Sequence, residues 1–586
     1  MKRTLLILWL FVFFGSCARI VIPTGGTKDT IPPKVTAEHP ENRSLFFHEK
    51  TIRITFDEYV TLNNPVENII FSPPLSQNPE YLLSGKSLII KLKDTLIADK
   101  TYNIIFTDAI KDFHEGNILT FYQYAFATGA SIDSFMLEGK LINAETLESE
   151  VGVYVFLYEN DNDSLPLTVR PTYLTKTQKG GTFTFQHIAN KAYKIFALKD
   201  INSNLIFDLP NEGIAFLDTL LASYPIPIKD TAKKQADTLS ENLIDTLEKS
   251  QIDTLRKNQA NMVAKNQLKL YYFLEEDTIQ RMEKPKNPQR NLYKLIYKRP
   301  VHSFTATQIS PRKTIDYFEV WNKQKDTVTW YFKTDIPDSL IFELRADEQQ
   351  IDTVLFKPFK PSATQGGGRG RRAVSVPKLN VTHTHAGSLF VPLTLHFSFP
   401  IHRVDTFPVT VISAKKNGAD TMLYYFAVSD TFSTSLPLYF PLEEKVPYTV
   451  LMKDSLFFGF DGTTNDSIKI NFTAKSERDY GNLMMNYKLK NNSVPHIILL
   501  LDSRKSIIQQ DIILTSKTIT YKNLNPGEYK IKVIEDLNGN GKWDTGNYRK
   551  KRQPEKILFF NKSITIRGYW DLEENFDIEV VKSGLY

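Results

Sequence analysis

Past residue 33 the chain alternates apolar and polar positions with period two. Ile52, Ile54 and Phe56 alternate with Thr51, Arg53 and Thr55, and the pattern recurs at Leu88, Ile90 and Leu92, at Tyr102, Ile104 and Phe106, and at Tyr122, Tyr124 and Phe126. Period-two alternation predicts strands with one face on a core and the other in water. Short strands broken by Pro, Asn and Gly turns over about a hundred residues predict a β-sandwich. Val151, Val153, Val155 and Leu157 predict a further strand, Phe183 and Phe185 another, and LKLYYFL, LYKLIYK and DTVTWYFK several more. No stretch reads as a long helix, so the predicted class is all-β, with tandem sandwiches joined by linkers.

The order of features repeats. LTLHFSFPI followed by YTVLMKDSLFFGFDGTTNDSIKINFTA parallels ITFDEYV followed by YNIIFTDAIKDFHEGN, and YKNLNPGEYKIKVIEDLNGNGKWD parallels FQHIANKAYKIFALKDINSNLIFD. The pattern divides the chain into sandwiches at 34–129 and 131–225, a polar linker at 226–266, a β unit at 267–360, a Gly/Arg-rich linker at 361–376, and repeat units at 377–475 and 476–586.

The first segment departs from this regime. MKRTLLILWLFVFFGSC has a basic head at Lys2 and Arg3, an apolar run from Leu5 to Phe14, and two small residues before Cys17, the single cysteine of 586 residues. The run is too short to span a bilayer core of about 30 Å at 1.5 Å per residue, and it reads as an export signal. A small-small-Cys ending resembles the bacterial lipobox. The resemblance implies that residues 1–17 are a lipoprotein signal, that Cys17 takes a diacylglycerol and becomes the mature N-terminus, and that 18–33 is a tether from the outer membrane. The mature chain would then hold no cysteine, which excludes disulfides and thiolate chemistry behind that point. Removing Lys2 and Arg3 from 72 basic residues leaves 70 against 66 acidic ones. A surplus of four over so long a chain argues against a nucleic-acid partner.

The stretches DTIPPKVTAEHPEN, IRITFDEYV, YNIIFTDAIKDFHEGN and YAFATG resemble the bacterial Ig-like domain of S-layer proteins, and this implies a spacer or adhesive role for 34–129 without catalytic residues. GGTFTFQHIANKAYKIFALKD resembles the transthyretin-like or carboxypeptidase-regulatory-like sandwich, in which the module binds or spaces.

Candidate chemistry is sparse. Asp536, Asn538, Asn540, Lys542 and Asp544 occupy positions 1, 3, 5, 7 and 9 of a loop with Gly541 at position 6, the spacing with which a calcium loop presents oxygen ligands. Asp200, Asn202, Asn204 and Asp208 copy it with Leu205 in place of the glycine, and position 12 is Asn in both, where calcium loops use a bidentate Glu. Two readings are open: a weak Ca²⁺ site, or paired Asx turns that need no metal. Alternation over an extended segment places His383 and His385 on one side, with no third metal ligand near in sequence. Asp-Thr-Leu recurs in the first linker, where Thr238, Thr246 and Thr254 match either an exported-protein O-glycosylation acceptor or ordinary turn chemistry. No catalytic motif stands out. The reading is a non-enzymatic, lipid-anchored outer-membrane scaffold with a protein or glycan partner. The alternatives are an envelope glycan hydrolase, whose carboxylates carry no obligatory local signature, and an accessory subunit of an outer-membrane machine.

Overall fold

The computed structural model describes residues 28–227, 268–277, 279–347, 350–359, 378–405, 409–415, 418–426, 433–490 and 493–578. Cys17, most of the tether, the linker threonines Thr238, Thr246 and Thr254, and the whole Gly/Arg-rich linker lie outside them. The described chain is all-β, with helix confined to single turns such as Pro65–Asn68 and Leu165–Thr168. It forms tandem β-sandwiches grouped in two compact units, residues 1–143 with 148–272 and residues 144–147 with 273–584.

In the first unit, strands Val35–His39, Thr51–Phe56, Ser87–Lys91 and Glu80–Ser84 form one sheet, and Ile69–Ser72, Thr101–Phe106 and Tyr122–Ala127 the facing one. The alternating residues meet between them: Ile52, Ile54, Phe56, Leu88, Ile90, Ile104, Phe106, Tyr124 and Phe126 share one buried core. At about 25 cal/mol per Å² of apolar surface, this burial is what holds a cysteine-free sandwich together. The expectation of a wet outer face fails for the second sheet. Thr101, Asn103 and Ile105 are as buried as their core-facing neighbours, and so are Ile70 and Ser72. The next sandwich covers them: Leu174 N–H donates to Ser72 Oγ at 3.1 Å and Asp133 N–H donates to Thr101 Oγ1 at 3.0 Å.

That second sandwich is a rolled path of strands, Tyr173–Lys176, Tyr154–Tyr158, Ala192–Leu198, Gly213–Phe216, Leu268–Leu274, Phe135–Asn143 and Thr182–Ile188, around Leu141, Val155, Phe183, Tyr193 and Ile195. LKLYYFL therefore does not open the third unit, as the sequence reading placed it. Leu268–Tyr272 runs parallel to Gly139–Asn143 in the sandwich before the linker. Gly139 makes this approach feasible, since a Cβ there would lie 2.6 Å from the Phe183 ring and 2.8 Å from the Leu268 carbonyl oxygen. A parallel partner needs a crossover of a dozen or more residues, so the pairing leaves no local mark in the sequence.

In the second unit, Leu292–Ile296, Thr327–Phe332 and Tyr317–Trp321 face Phe304–Ser310, Leu340–Ala346 and Gln350–Phe356 across a core centred on Trp330. The following sandwich packs Leu393–Val404 and Ser433–Tyr439 against Thr410–Lys415, Pro447–Met452 and Ile468–Thr473. The last one sets Lys517–Leu524, Gly481–Leu489 and Asp571–Ile578 against Ile507–Ile513, His496–Asp502, Gly527–Glu535 and Ile557–Phe559. Asp571–Ile578 runs parallel to Gly481–Leu489, the same returning-strand device as in the second sandwich.

His496 opens strand His496–Asp502 in a buried position and pairs with Glu535 across the ladder. Burial lowers its imidazole below the usual 6.5, although Glu535 and the Val494 carbonyl act in the opposite sense. A histidine held neutral by the fold contributes fully above its unfolded value, and that contribution is lost as pH falls through the lower folded value. The denaturant midpoint of the second unit is expected to fall from pH 7 to pH 5. His496→Gln should flatten that part of the profile, and an unchanged profile in the variant would assign the loss to other groups.

Candidate functional site

Asp536 follows strand Gly527–Glu535 and is buried. One carboxylate oxygen accepts the N–H groups of Gly539 at 2.7 Å and Asn540 at 3.1 Å, and the other accepts Gly541 N–H at 2.8 Å. Asp544 accepts both asparagine amides, Asn538 Nδ2 at 2.5 Å and Asn540 Nδ2 at 2.7 Å. The backbone is left-handed at Gly539 and Gly541, φ 71° and 76°, where a glycine carries no Cβ penalty. The loop at 200 has the same construction. Asp200 accepts Asn204 and Leu205 N–H, and Asp208 accepts Asn202 Nδ2 at 3.0 Å and Asn204 Nδ2 at 2.8 Å. Leu205, at the glycine position, takes φ 62° all the same, a conformation that a branched side chain adopts only where its surroundings hold it.

Each loop is closed from outside by a glutamate. Glu555 is buried, accepts Leu537 N–H at 2.7 Å and Asp544 N–H at 2.9 Å, and lies eleven residues past Asp544. Glu212, fully buried, accepts Ile201, Asp208 and Leu209 N–H. Burial raises the Glu555 carboxyl above its ordinary range, the charges of Asp544 and Asp536 add to the rise, and its two backbone donors oppose it. Glu212 directly follows position 12 of its loop, whereas Glu555 falls outside any twelve-residue window and could not be found from the spacing. Asn547, at position 12, instead bridges to Arg552 through its backbone.

The donor set bears on the calcium reading directly. Asn538 and Asn540 turn their amide nitrogens toward Asp544, while their oxygens accept Asn540 and Lys542 N–H. Among the described residues no group of three or more His, Cys, Asp or Glu is arranged to hold a metal ion. The loops close on their own hydrogen bonds as Asx turns. Ca²⁺ at this place requires the two amides to rotate so that their oxygens join the carboxylates.

The histidine pair is not formed as alternation predicted. Strand Val381–Thr384 ends before His385, whose φ of 62° breaks the alternation that would align it with His383. Both rings are exposed.

Residues 29–128 match the family model described as Bacterial Ig-like domain. No curated protein sequence matches the chain. Among solved structures, the N-terminal part of the bacterial S-layer protein SbsC aligns at 15% identity over 30% of this chain and 42% of that one, with a TM-score of 0.13. Domains 1–6 of SbsC align at 10% identity over 91% of this chain and 67% of that one, also with a TM-score of 0.13. BcpA, the major pilin subunit of Bacillus cereus, aligns at 9% identity over 75% of this chain and 99% of that one, with a TM-score of 0.15. The chain thus spans less than half of the SbsC N-terminal part that it matches.

Proposed function

We propose that this protein is a non-enzymatic scaffold of the cell envelope, anchored to the outer membrane by a lipid on Cys17 and presenting β-sandwich surfaces to a protein or glycan partner. The observation that carries the reading is a cysteine-free series of sandwiches, the first matching the bacterial Ig-like domain, behind a sequence that ends in Gly15-Ser16-Cys17. The rigid elements are sheets packed face to face, and the long loops after Leu198 and Glu535 are closed by Asx bonds, an organisation suited to presenting surfaces from each sandwich. In this reading the two Asx loops stiffen the sandwiches, and Ca²⁺ is a stabiliser bound at the loop of Asp536.

Cys17→Ser should leave the precursor unlipidated and move the protein from the membrane fraction to the soluble fraction. Fractionation of cells expressing parent and variant, with a salt wash of the membranes, measures this. A variant that stays with the membrane as firmly as the parent removes the lipid anchor from the proposal.

A further inference from the structure

A cluster of cationic and aromatic side chains lies in the second unit where the segments Lys475–Tyr480 and Arg567–Trp570 meet. Ser476 caps the short turn Glu477–Asp479: its hydroxyl accepts Arg478 N–H at 3.2 Å, and the Asp479 carboxylate accepts Ser476 N–H at 2.6 Å. Glu444 accepts Ser476 Oγ–H at 2.9 Å and Glu477 N–H at 3.1 Å. Two of the nearby carboxylates are therefore spent on the backbone turn. The opposite loop is pinned as well. Tyr569, at φ 61°, donates its N–H to the Tyr480 carbonyl at 2.8 Å, and the Trp570 carbonyl accepts Asn482 N–H at 2.9 Å. A Cβ on Gly568 would stand 2.5 Å from the Arg478 carbonyl oxygen, so the two segments are in direct contact.

Three cation–aromatic pairs result. Lys475 Nζ lies 5.3 Å from the centroid of Tyr480, the Arg478 guanidinium 5.3 Å from that of Tyr569, and the Arg567 guanidinium 5.1 Å from that of Trp570. Phe390 meets Tyr480 edge to face at 5.0 Å. Tyr569 is 75% exposed and Trp570 52% exposed, which leaves ring surface open to solvent. Among the described residues neither guanidinium has a carboxylate within ion-pair distance, and Glu477 is the one carboxylate of the turn not tied to backbone. Stacking orients the planar forks of Arg478 and Arg567 and leaves their donors without a side-chain partner among the described residues.

We propose that this patch binds an anionic polysaccharide. Ring faces of the sugar stack on Tyr569 and Trp570, and its carboxylates or phosphates take the Arg478 and Arg567 forks by charge-assisted, bidentate hydrogen bonds. The open donors decide the class of partner. Arg478 and Arg567 stand beside the exposed rings of Tyr569 and Trp570, whereas Lys475 is bonded to Asn525 over the buried Tyr480. The Glu444 and Asp479 carboxylates are turned to the backbone of the turn, so the surface offers two guanidiniums to a polymer that is anionic and carries flat apolar surfaces. A lipid surface fits less well, because membrane docking needs a wide apolar face, and here guanidiniums and carboxylates stand among the rings. The proposal deepens the envelope reading by naming the partner class. It rests on that reading only for where the glycan is met.

The test uses the purified full-length chain, so failure of the lipid anchor, read by fractionation, stays distinguishable from failure of this surface. Binding is measured to immobilised polygalacturonate, to phosphomannan, to neutral dextran, and to phosphatidylglycerol vesicles. The expected result is binding to at least one anionic polymer, weaker at higher salt, with no binding to dextran. Affinity should fall at least tenfold in Tyr569→Asn, whose new residue tolerates the left-handed backbone, and in Arg567→Gln, with unchanged circular dichroism and melting. If either variant fails to fold, the exposed Arg478→Gln substitution gives the same readout. No binding to either anionic polymer, equal binding to dextran, binding to vesicles alone, or undiminished affinity in the folded variants overturns the proposal.

Discussion

Trp330→Ala is expected to lower the stability of the sandwich at 279–359 by about 3–5 kcal/mol, the range for removing a large aromatic side chain from a packed core. Trp330 is fully buried, stacks on Phe356 at 5.3 Å and on Tyr317 at 4.3 Å, and meets Phe342 edge to face at 5.0 Å. The aromatic neighbours of the ring are packed on one another, so the space it leaves is expected to close only in part. Trp330→Phe should cost less, because it keeps the stack and removes an indole N–H that has no hydrogen-bond partner. Several sandwiches share this chain, so a single melting temperature is not the right readout. Hydrogen exchange read by mass spectrometry on Tyr317–Trp321 and Leu340–Ala346 is, and unchanged protection there in Trp330→Ala contradicts the assignment of Trp330 as the centre of that core.

Asp536→Ala should lower the stability of the last sandwich by about 2–4 kcal/mol, because three N–H groups that now donate to one buried carboxylate lose their acceptor. The same variant tests the metal. In the proposed reading, a loop with two carboxylates and two amides falls in the weak class of extracellular calcium sites, with Kd of about 10⁻⁴ to 10⁻³ M. Millimolar Ca²⁺ is then expected to stabilise the parent by roughly 1 kcal/mol through binding to the folded state alone. Unfolding of the full chain in calcium and in chelator, followed by exchange at Gly527–Glu535, separates the two effects. Parent protection should rise with calcium, and Asp536→Ala should be lower and indifferent to it. Equal protection of the parent in calcium and chelator makes the loop an Asx turn with no metal, whereas a destabilised variant still establishes its structural role.

The sequence was sufficient for whatever depends on local periodicity and local turn chemistry. Ile52, Ile54 and Phe56 announce a strand with one buried face because successive side chains leave a strand on opposite sides, and they are in the core. Asp536, Asn538, Asn540 and Asp544 announce a tight loop because short polar side chains bond nearby backbone; Asp536, Asn538 and Asn540 accept backbone N–H groups here, while Asp544 takes the two asparagine amides. Tertiary structure alone decided the rest. Thr101, Asn103 and Ile105 read as a solvent face and are buried, since only a second sandwich pressed against that sheet removes water from it. Leu268–Tyr272 reads as the start of a new unit and completes an old one, because parallel pairing is set by a chain segment beyond the linker. Glu555 carries no motif and holds the loop of Asp536 from eleven residues beyond Asp544. Lys475, Arg478, Tyr569 and Trp570 stand nearly a hundred positions apart in two unremarkable strings, KSERDY and RGYW, and become one surface only when the strand Gly481–Leu489 is paired in parallel with Asp571–Ile578. Alternation fixes which side of a strand faces inward; what lies on the other side is a property of the packed molecule.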